Sequence, residues 1–147
     1  MDKMKILFLC TGNSCRSQMA EGWARHLKGN VLEPWSAGTV ARGLDARAVR
    51  AMAEAGVDIS GQYSKTTDEL GDIEFDCVVT VCDRARESCP LFLGSAKVIH
   101  VGFDDPPFLA RDAATEAEAL PHYRRVRDEI RAFVEKMPRV LQETPAV

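Results

Sequence analysis

Apolar residues in this chain are concentrated in short segments, each interrupted by few polar residues, that alternate with longer amphipathic stretches. The runs lie at residues 4–9, 31–36, 75–82 and 97–101, and each is a candidate β-strand. The third run contains Val78-Val79-Thr80-Val81, and such a β-branched sequence is typical of a strand buried on both faces. The pattern therefore predicts four strands, of which at least the third lies inside the sheet.

The amphipathic stretches between and after these runs have helical spacing. Their apolar positions are Met19, Trp23 and Leu27 in the first, Val49, Met52 and Ala53 in the second, and Tyr123, Val126, Ile130, Phe133, Val134 and Met137 in the third. Each stretch has a residue that favours the start of a helix and one that favours its end: Ser17 and Gly29, Asp45 and Gly56, Pro121 and Pro138. The alternation predicts an α/β fold with one domain over residues 1–147, a four-stranded parallel sheet and helices on both faces.

The amino-acid composition and net charge exclude some classes of function for this chain. A chain of 147 residues with 46% hydrophobic and 28% charged residues is ordinary for a globular domain. The net charge of −3 argues against a nucleic-acid partner, which usually requires a basic patch. The first residues lack the pattern of a secretory signal, and no apolar run has the length of a membrane span. We therefore expect a cytoplasmic protein with no membrane partner.

The five cysteines give a similar indication. Without an export signal they are expected to be reduced rather than locked in a static disulfide framework. The spacings Cys10-x4-Cys15 and Cys82-x6-Cys89 do not match the common zinc-binding patterns, and the three histidines stand apart. We expect no metal site, so the cysteines are candidates for thiol chemistry.

The candidate chemistry begins where the first strand turns into the first helix, at Cys10-Thr11-Gly12-Asn13-Ser14-Cys15-Arg16. A loop in this setting directs its amides at an anion, and the helix N-terminus adds partial positive charge. Arg16 offers a planar fork to two oxygens of a tetrahedral oxyanion. Cys10 is placed to attack the central atom, and the same positive groups favour its thiolate form.

A second thiol lies beside the loop if the first and third strands are neighbours in the sheet. Cys82 ends the third apolar run, and ligands of parallel sheets bind at the carboxyl ends of the strands. Adjacent strands lie about 4.8 Å apart, so Cys10 and Cys82 could meet the Cα separation of a disulfide, about 4.4–6.8 Å. Cys89 follows seven residues later, which is about 10.5 Å along a helix. If residues 83–89 are helical, a Cys82–Cys89 disulfide requires that segment to unwind.

Residues 10–17 resemble the phosphate loop of low-molecular-weight protein tyrosine phosphatases, and the whole chain resembles the thioredoxin-coupled arsenate reductases that share their fold. The matching stretches are Cys10 through Gly22, Ser36-Ala37-Gly38, Val78 through Cys82, Cys89-Pro90, Gly102 through Pro106 and Arg125 through Ile130. Because they span nearly the full length, the resemblance implies the phosphatase-like fold.

The resemblance also implies a reaction. Cys10 attacks arsenate, Asp105 acts as the general acid, and Cys82 and then Cys89 resolve the intermediate so that arsenite leaves and thioredoxin reduces the final disulfide. Asp105 is preferred to Asp104 because it directly precedes the proline. Phosphate and sulfate are expected as competing oxyanions, weak phosphatase activity as a side reaction, and a monomer as the active form.

Individual loop residues receive roles by the same resemblance. The oxyanion-binding set is Thr11, Gly12, Asn13, Ser14, Cys15, Arg16 and Ser17. Asn13 is expected to hold the loop shape and Ser17 to hydrogen-bond the Cys10 sulfur. Cys15 is interpreted as a packed residue, although in some phosphatase relatives the matching cysteine pairs with the nucleophile. Cys77 is interpreted as a core residue of its strand.

One departure from the family concerns a cation. Some members bind potassium near the loop through residues that match Asn13, Glu21 and positions 63 and 65, which here are Tyr63 and Lys65. A lysine does not ligate a cation, and its ammonium could instead pair with Glu21. We therefore expect no bound cofactor and no potassium dependence.

Two other functions remain open at this point. A phosphomonoesterase would use Cys10, Arg16 and Asp105 in the same roles, with water cleaving a phosphocysteine. A redox sensor or oxyanion-binding module would need no turnover. The electron donor is also open between thioredoxin, glutaredoxin and small thiols, and the Cys82–Cys89 pair favours thioredoxin.

Overall fold

Four parallel strands form one sheet in the order β2-β1-β3-β4. The computed structural model describes residues 2–83 and 94–147. The strands are β1 (Met4–Cys10), β2 (Leu32–Gly38), β3 (Cys77–Thr80) and β4 (Lys97–His100). All four predicted strands are confirmed, and the two most central ones are the strands that end closest to the candidate thiols.

The helices of the described residues are α1 (Arg16–Lys28), α2 (Ala46–Glu54), α3 (Pro106–Leu109), α4 (Glu116–Glu135) and α5 (Arg139–Glu143), with a 3-10 helix at Thr67–Leu70. The start of α2 is confirmed, because the Asp45 carboxylate accepts a hydrogen bond from the Arg47 amide at 2.9 Å. Gly56 follows this helix with φ = +86°, the left-handed conformation that favours glycine.

Two predicted helix starts are wrong. Ser17 is not an N-cap but the second residue of α1, because its hydroxyl contacts the Cys10 sulfur. Pro121 is not in a first turn: α4 begins five residues earlier, where Thr115 accepts a hydrogen bond from the Glu118 amide. The side chain of Glu118 reaches back to the Ala114 amide, so the signal missed in the sequence is a Thr-x-x-Glu capping pattern.

The third strand is shorter than its apolar run. It ends at Thr80 instead of Cys82, and the chain bends at Cys82. Cys82 therefore lies just beyond the strand, on the loop that leaves the sheet.

The two faces of the sheet bury unequal cores. Helices α1, α2, α4 and α5 pack on one face, where Ile6 and Phe8 of β1 contact residues such as Trp23 and Ile130. The other face holds a smaller cluster around Leu7, which is covered in the described residues by the 3-10 helix and the segment that follows it. No helix within residues 2–83 and 94–147 combines the length and the apolarity needed to cross a bilayer.

The topology brings several connections to one edge of the sheet. Strand β1 pairs with both β2 and β3, with Cys10 opposite Gly38 and Leu9 opposite Thr80. The first and third strands are thus neighbours, which is the condition for Cys10 and Cys82 to lie at one edge of the sheet. Continuing the register puts Cys10 level with Val81, whose amide donates to the Leu9 carbonyl at 3.0 Å. Cys82 is one residue farther along this edge.

Gly38 closes β2 against the loop that follows β1. A Cβ atom at this position would lie 2.6 Å from the Thr11 carbonyl oxygen and 2.9 Å from the Asn13 nitrogen. These are backbone atoms, which cannot turn aside as a flexible side chain can. The sequence therefore needs glycine here for close approach of two chain segments.

We expect Gly38→Ala to lower the free energy of unfolding by about 1–3 kcal/mol, because the methyl group forces the backbone of residues 11–13 to shift. Urea denaturation measures this change. Gly61→Ala is the matched control: a Cβ there has no atom within 4 Å, so its free energy of unfolding should stay close to that of the wild type. Equal stability of the two variants would contradict the argument.

Candidate active site

A small cavity opens at the end of β1, directly above Cys10. Its volume is about 320 Å³. It is lined by Cys10, Thr11, Gly12, Ser14, Cys15, Arg16, Arg42, Asp105 and Pro107. Most of the predicted oxyanion-binding residues and the predicted acid therefore meet in one place, whereas Asn13 and Ser17 are fully buried behind the cavity wall.

Cys10 lines this cavity and is 3% exposed. The Ser17 hydroxyl oxygen is 2.9 Å from its sulfur, and the Asn13 side-chain amide donates to that same oxygen at 2.9 Å. Because Ser17 accepts from Asn13, its own proton is available to donate to the sulfur. Such a chain of donors stabilises negative charge on a thiolate.

Asn13 holds the loop in its shape. Its φ is +49°, in the left-handed region that asparagine tolerates better than most residues. Its side-chain oxygen accepts hydrogen bonds from the Gln18 side chain and the Lys65 amide, each at 2.9 Å. All polar atoms of this buried side chain are therefore used to fix the turn between β1 and α1.

Arg16 is the first residue of α1 and lies in the cavity wall with its side chain 5% exposed. One terminal nitrogen donates to the Phe103 carbonyl at 3.2 Å, and the other lies 3.6 Å from an Asp105 carboxylate oxygen. These contacts aim the guanidinium across the cavity. A buried arginine held in this way is well suited to bind an oxyanion through two parallel hydrogen bonds.

The two neighbouring aspartates have different surroundings. Asp105 lines the cavity and its side chain is 20% exposed. Asp104 points elsewhere and pairs with Arg125 of α4 at 2.9 Å. The geometry therefore favours Asp105 as the group that can exchange a proton with a bound anion, in agreement with its place before Pro106.

The segment after β2 braces the loop from outside. The amides of Val40, Arg42 and Asp45 donate to the carbonyls of residues 11, 12 and 14 at 3.0–3.1 Å. The Arg42 side chain thereby reaches the rim of the cavity, and sequence reasoning missed this residue. Its position beside Gly12 depends on contacts between distant segments, which no local motif encodes.

Cys15 has a different character from Cys10. It is 2% exposed, and burial raises the pKa of its thiol well above the ordinary value, with the carboxylates of Asp45 and Asp105 acting in the same direction. Behind it, the Tyr123 hydroxyl donates to Asp45 at 2.7 Å. Burial and this hydrogen bond raise the pKa of Tyr123. Cys15 therefore stays a neutral packed thiol, consistent with its interpretation as a packed residue.

The remaining described cysteines are Cys77 and Cys82. Cys77 is a free thiol in the core of β3, where burial raises its pKa to about 11. Cys82 is disulfide-bonded, and Cys10, Cys15 and Cys77 are all free, so none of them is its partner. Cys89 and the residues 84–88 between the two predicted resolving thiols lie outside the described residues.

Behind the loop lies a buried group of charges around Glu21. Its carboxylate accepts a hydrogen bond from the Ser36 hydroxyl at 2.6 Å and pairs with Arg25 at 2.8 Å. The Lys65 ammonium lies 3.8 Å from the same carboxylate, so the predicted pairing is present. It also donates to the Tyr63 carbonyl at 3.1 Å, and burial lowers the pKa of Lys65.

This arrangement does not fit a bound potassium ion, because an ammonium group already occupies the space between Glu21 and the Tyr63 carbonyl. The described residues also contain no cluster of three or more side chains of the kind that ligate metals. The candidate catalytic groups of the site are Cys10, Arg16, Asp105 and the adjoining thiols.

Known proteins resemble this chain over most of its length. The family model described as low molecular weight phosphotyrosine protein phosphatase matches residues 5–146. An arsenate reductase of Halalkalibacterium halodurans is 48% identical and one of Bacillus subtilis is 49% identical, each over 88% of this chain and 91% of the relative.

A solved arsenate reductase in its phosphate-binding state superimposes with a TM-score of 0.70 at 29% identity, covering 91% of this chain and 95% of the other. The family match and the structural superposition each extend over nearly the whole chain, and they include the strand-to-helix loop and the parallel sheet. The chain belongs to the low molecular weight phosphotyrosine protein phosphatase family, and its arsenate reductase relatives group it with that branch of the family.

Proposed function

We propose that this protein reduces arsenate to arsenite by thiol–disulfide exchange. One juxtaposition carries the proposal: a small cavity lined by Cys10 and Arg16 lies at the end of β1, and a disulfide-bonded Cys82 follows the neighbouring strand β3. A hydrolase needs the first of these features and has no use for the second. The arsenate reductases at 48% and 49% identity support the same assignment.

The first step is attack by the Cys10 thiolate on arsenic, which forms a sulfur–arsenic bond. Arg16 and the loop amides hold the remaining oxygens. Asp105 donates a proton to the departing oxygen, which leaves as water. The Ser17 hydroxyl, 2.9 Å from the sulfur, stabilises the thiolate before attack.

The second step transfers electrons. The Cys82 thiolate attacks the Cys10 sulfur, the sulfur–arsenic bond breaks, and its electron pair stays on arsenic, which leaves as arsenite. Cys89 then attacks Cys82 and frees Cys10. Cys10 is level with Val81 in the sheet register, so Cys82 needs only a local change of the chain beyond Val81 to reach it.

Thioredoxin is the proposed final reductant. Cys82 is 0% exposed while disulfide-bonded, so an external dithiol cannot attack this sulfur. We therefore propose Cys89 as the sulfur that thioredoxin attacks.

The same proposal covers the setting of the reaction. We propose that residues 1–147 act as one domain and as a monomer. The protein acts in the cytoplasm, where free thiols are maintained. Phosphate and sulfate compete with arsenate, and weak phosphomonoester hydrolysis accompanies reduction because both reactions share Cys10, Arg16 and Asp105.

We expect Cys82→Ser to abolish multiple turnovers of arsenate in the presence of thioredoxin while leaving hydrolysis of p-nitrophenyl phosphate intact. Hydrolysis needs no second thiol, so this variant separates a reductase from a phosphatase. Cys77→Ala is the control, because Cys77 is a buried free thiol of β3, the strand that leads to Cys82, and has no proposed role. It should keep both activities.

Peptide mapping after a single turnover without reductant completes this test. A Cys82–Cys89 disulfide is the expected product. Five intact thiols, or a Cys82→Ser variant that still turns over arsenate, would contradict the proposed relay.

We expect Asp105→Asn to lower kcat for arsenate by about 10²–10³-fold, the range of general acid catalysis, with a smaller change in KM. Steady-state kinetics across pH measure it, and the variant should lose the limb of the pH profile that reports the acid. Asp104→Asn breaks only a surface pair with Arg125 and should retain the wild-type kcat. Similar losses in both variants would argue against Asp105 as the acid.

We also expect turnover and thermal stability to be the same in potassium and sodium chloride at equal ionic strength. Removal of the ammonium in Lys65→Ala leaves the Glu21 carboxylate and the Tyr63 carbonyl facing a vacated space, so this variant should become selectively stabilised by potassium. Thermal melts in the two salts measure the effect. Lys136→Ala is the control, because it removes an exposed lysine at the C-cap of α4, and it should show no cation preference. Potassium-stimulated turnover of the wild type would refute the prediction.

A further inference from the structure

Arg42 lies at the rim of the oxyanion cavity, opposite the buried Arg16. Both residues line the cavity, but Arg42 is exposed whereas Arg16 is 4% exposed. The site therefore has one arginine in its wall and another at its mouth. The reaction proposed above uses only the first of them.

The backbone fixes where Arg42 can reach. Its amide donates to the Gly12 carbonyl at 3.0 Å, and the flanking residues Val40 and Asp45 are bonded to the same loop. The aliphatic part of its side chain lies over Gly12: a Cβ atom at Gly12 would be 2.8 Å from the Arg42 Cδ and 3.1 Å from its Cγ. Glycine in the loop thus makes room for this arginine against the cavity edge.

Charge sets Arg42 apart from the other arginines. Every other arginine within residues 2–83 and 94–147 forms an ion pair with a carboxylate: Arg16, Arg25, Arg47, Arg50, Arg111, Arg124, Arg125, Arg127, Arg131 and Arg139. Arg42 forms none with any described residue. A guanidinium that is held beside an anion cavity and is not neutralised by a carboxylate is available to a bound anion.

We propose that Arg42 is a substrate-binding residue that selects oxyanions carrying more than one negative charge. This inference rests on the function proposed above and deepens it. The Cys10 thiolate repels a multiply charged anion, and the Arg16 guanidinium already lies 3.6 Å from an Asp105 carboxyl oxygen. A second guanidinium at the mouth offsets that repulsion and binds oxygens that the loop amides do not reach.

The two arginines therefore have different roles. Arg16 contacts the anion at the reacting centre, so it affects both binding and the chemical step. Arg42 acts from the rim and binds ground state and transition state alike, so its loss raises KM and leaves kcat nearly unchanged. Because Arg42 is exposed, its effect is also screened by salt.

The test is calorimetric titration of the wild type, Arg42→Gln, Arg42→Lys and Arg139→Gln with inorganic phosphate, which requires no reductase activity. We expect Arg42→Gln to weaken phosphate binding roughly tenfold at an ionic strength of about 0.01 M, with a smaller loss at about 0.15 M. Arg42→Lys, which keeps the charge without the planar fork, should recover part of the loss. Arg139→Gln removes the same charge from an exposed site on α5 and should bind like the wild type.

Steady-state arsenate kinetics give the second readout, with KM raised and kcat within about twofold of the wild type for Arg42→Gln. Equal phosphate affinity of Arg42→Gln and wild type overturns the inference, as does an equal loss in Arg139→Gln. A wild type that binds no phosphate overturns both the inference and the proposed site. If phosphate binding depends on Arg42 but the protein does not reduce arsenate, the inference is supported and the proposed function is contradicted.

Discussion

The conformation of the loop between β1 and α1 is the constraint on which the site depends. It is fixed by one buried side chain, that of Asn13, whose backbone lies in the left-handed region and whose amide bonds to Ser17, Gln18 and the Lys65 backbone. Relaxation of this turn would move the Cys10 donor chain and Arg16 together. The site is therefore preorganised by hydrogen bonds within the protein that do not involve the anion.

Electrostatics around the loop follow from which charges are buried and which are not. Two thiols of the loop, Cys10 and Cys15, are only five residues apart but have different surroundings. The Cys10 sulfur contacts a hydroxyl donor. Cys15 is buried near the Asp45 carboxylate, which accepts a hydrogen bond from Tyr123. The difference in environment leaves a single nucleophile in the loop. On the far side, Glu21 and Lys65 neutralise each other in the protein interior and so keep their charges from disturbing the cavity.

The parts of the fold that depend on local pattern could be predicted from the sequence. The four strands, the Asp45 cap and the anion loop with Cys10 and Arg16 follow from run length, capping chemistry and a strand-to-helix turn. Ser17 is not a helix N-cap, because its hydroxyl contacts the Cys10 sulfur instead of capping α1. Pro121 does not begin α4, because the Thr115 capping pattern starts the helix earlier. Arg42 and the Tyr123–Asp45 pair could not be found, since they join segments that are adjacent only after folding.

The bracing of the loop by the segment that follows β2 has a consequence for protein engineering. Backbone hydrogen bonds and close contacts tie residues 11–14 to Gly38, Val40, Arg42, Asp45 and Lys65. A short graft of the eight-residue motif onto another parallel sheet would carry the nucleophile without the scaffold that shapes it. The smallest transferable unit of this active site is instead the first β-α-β module together with the chain as far as the 3-10 helix.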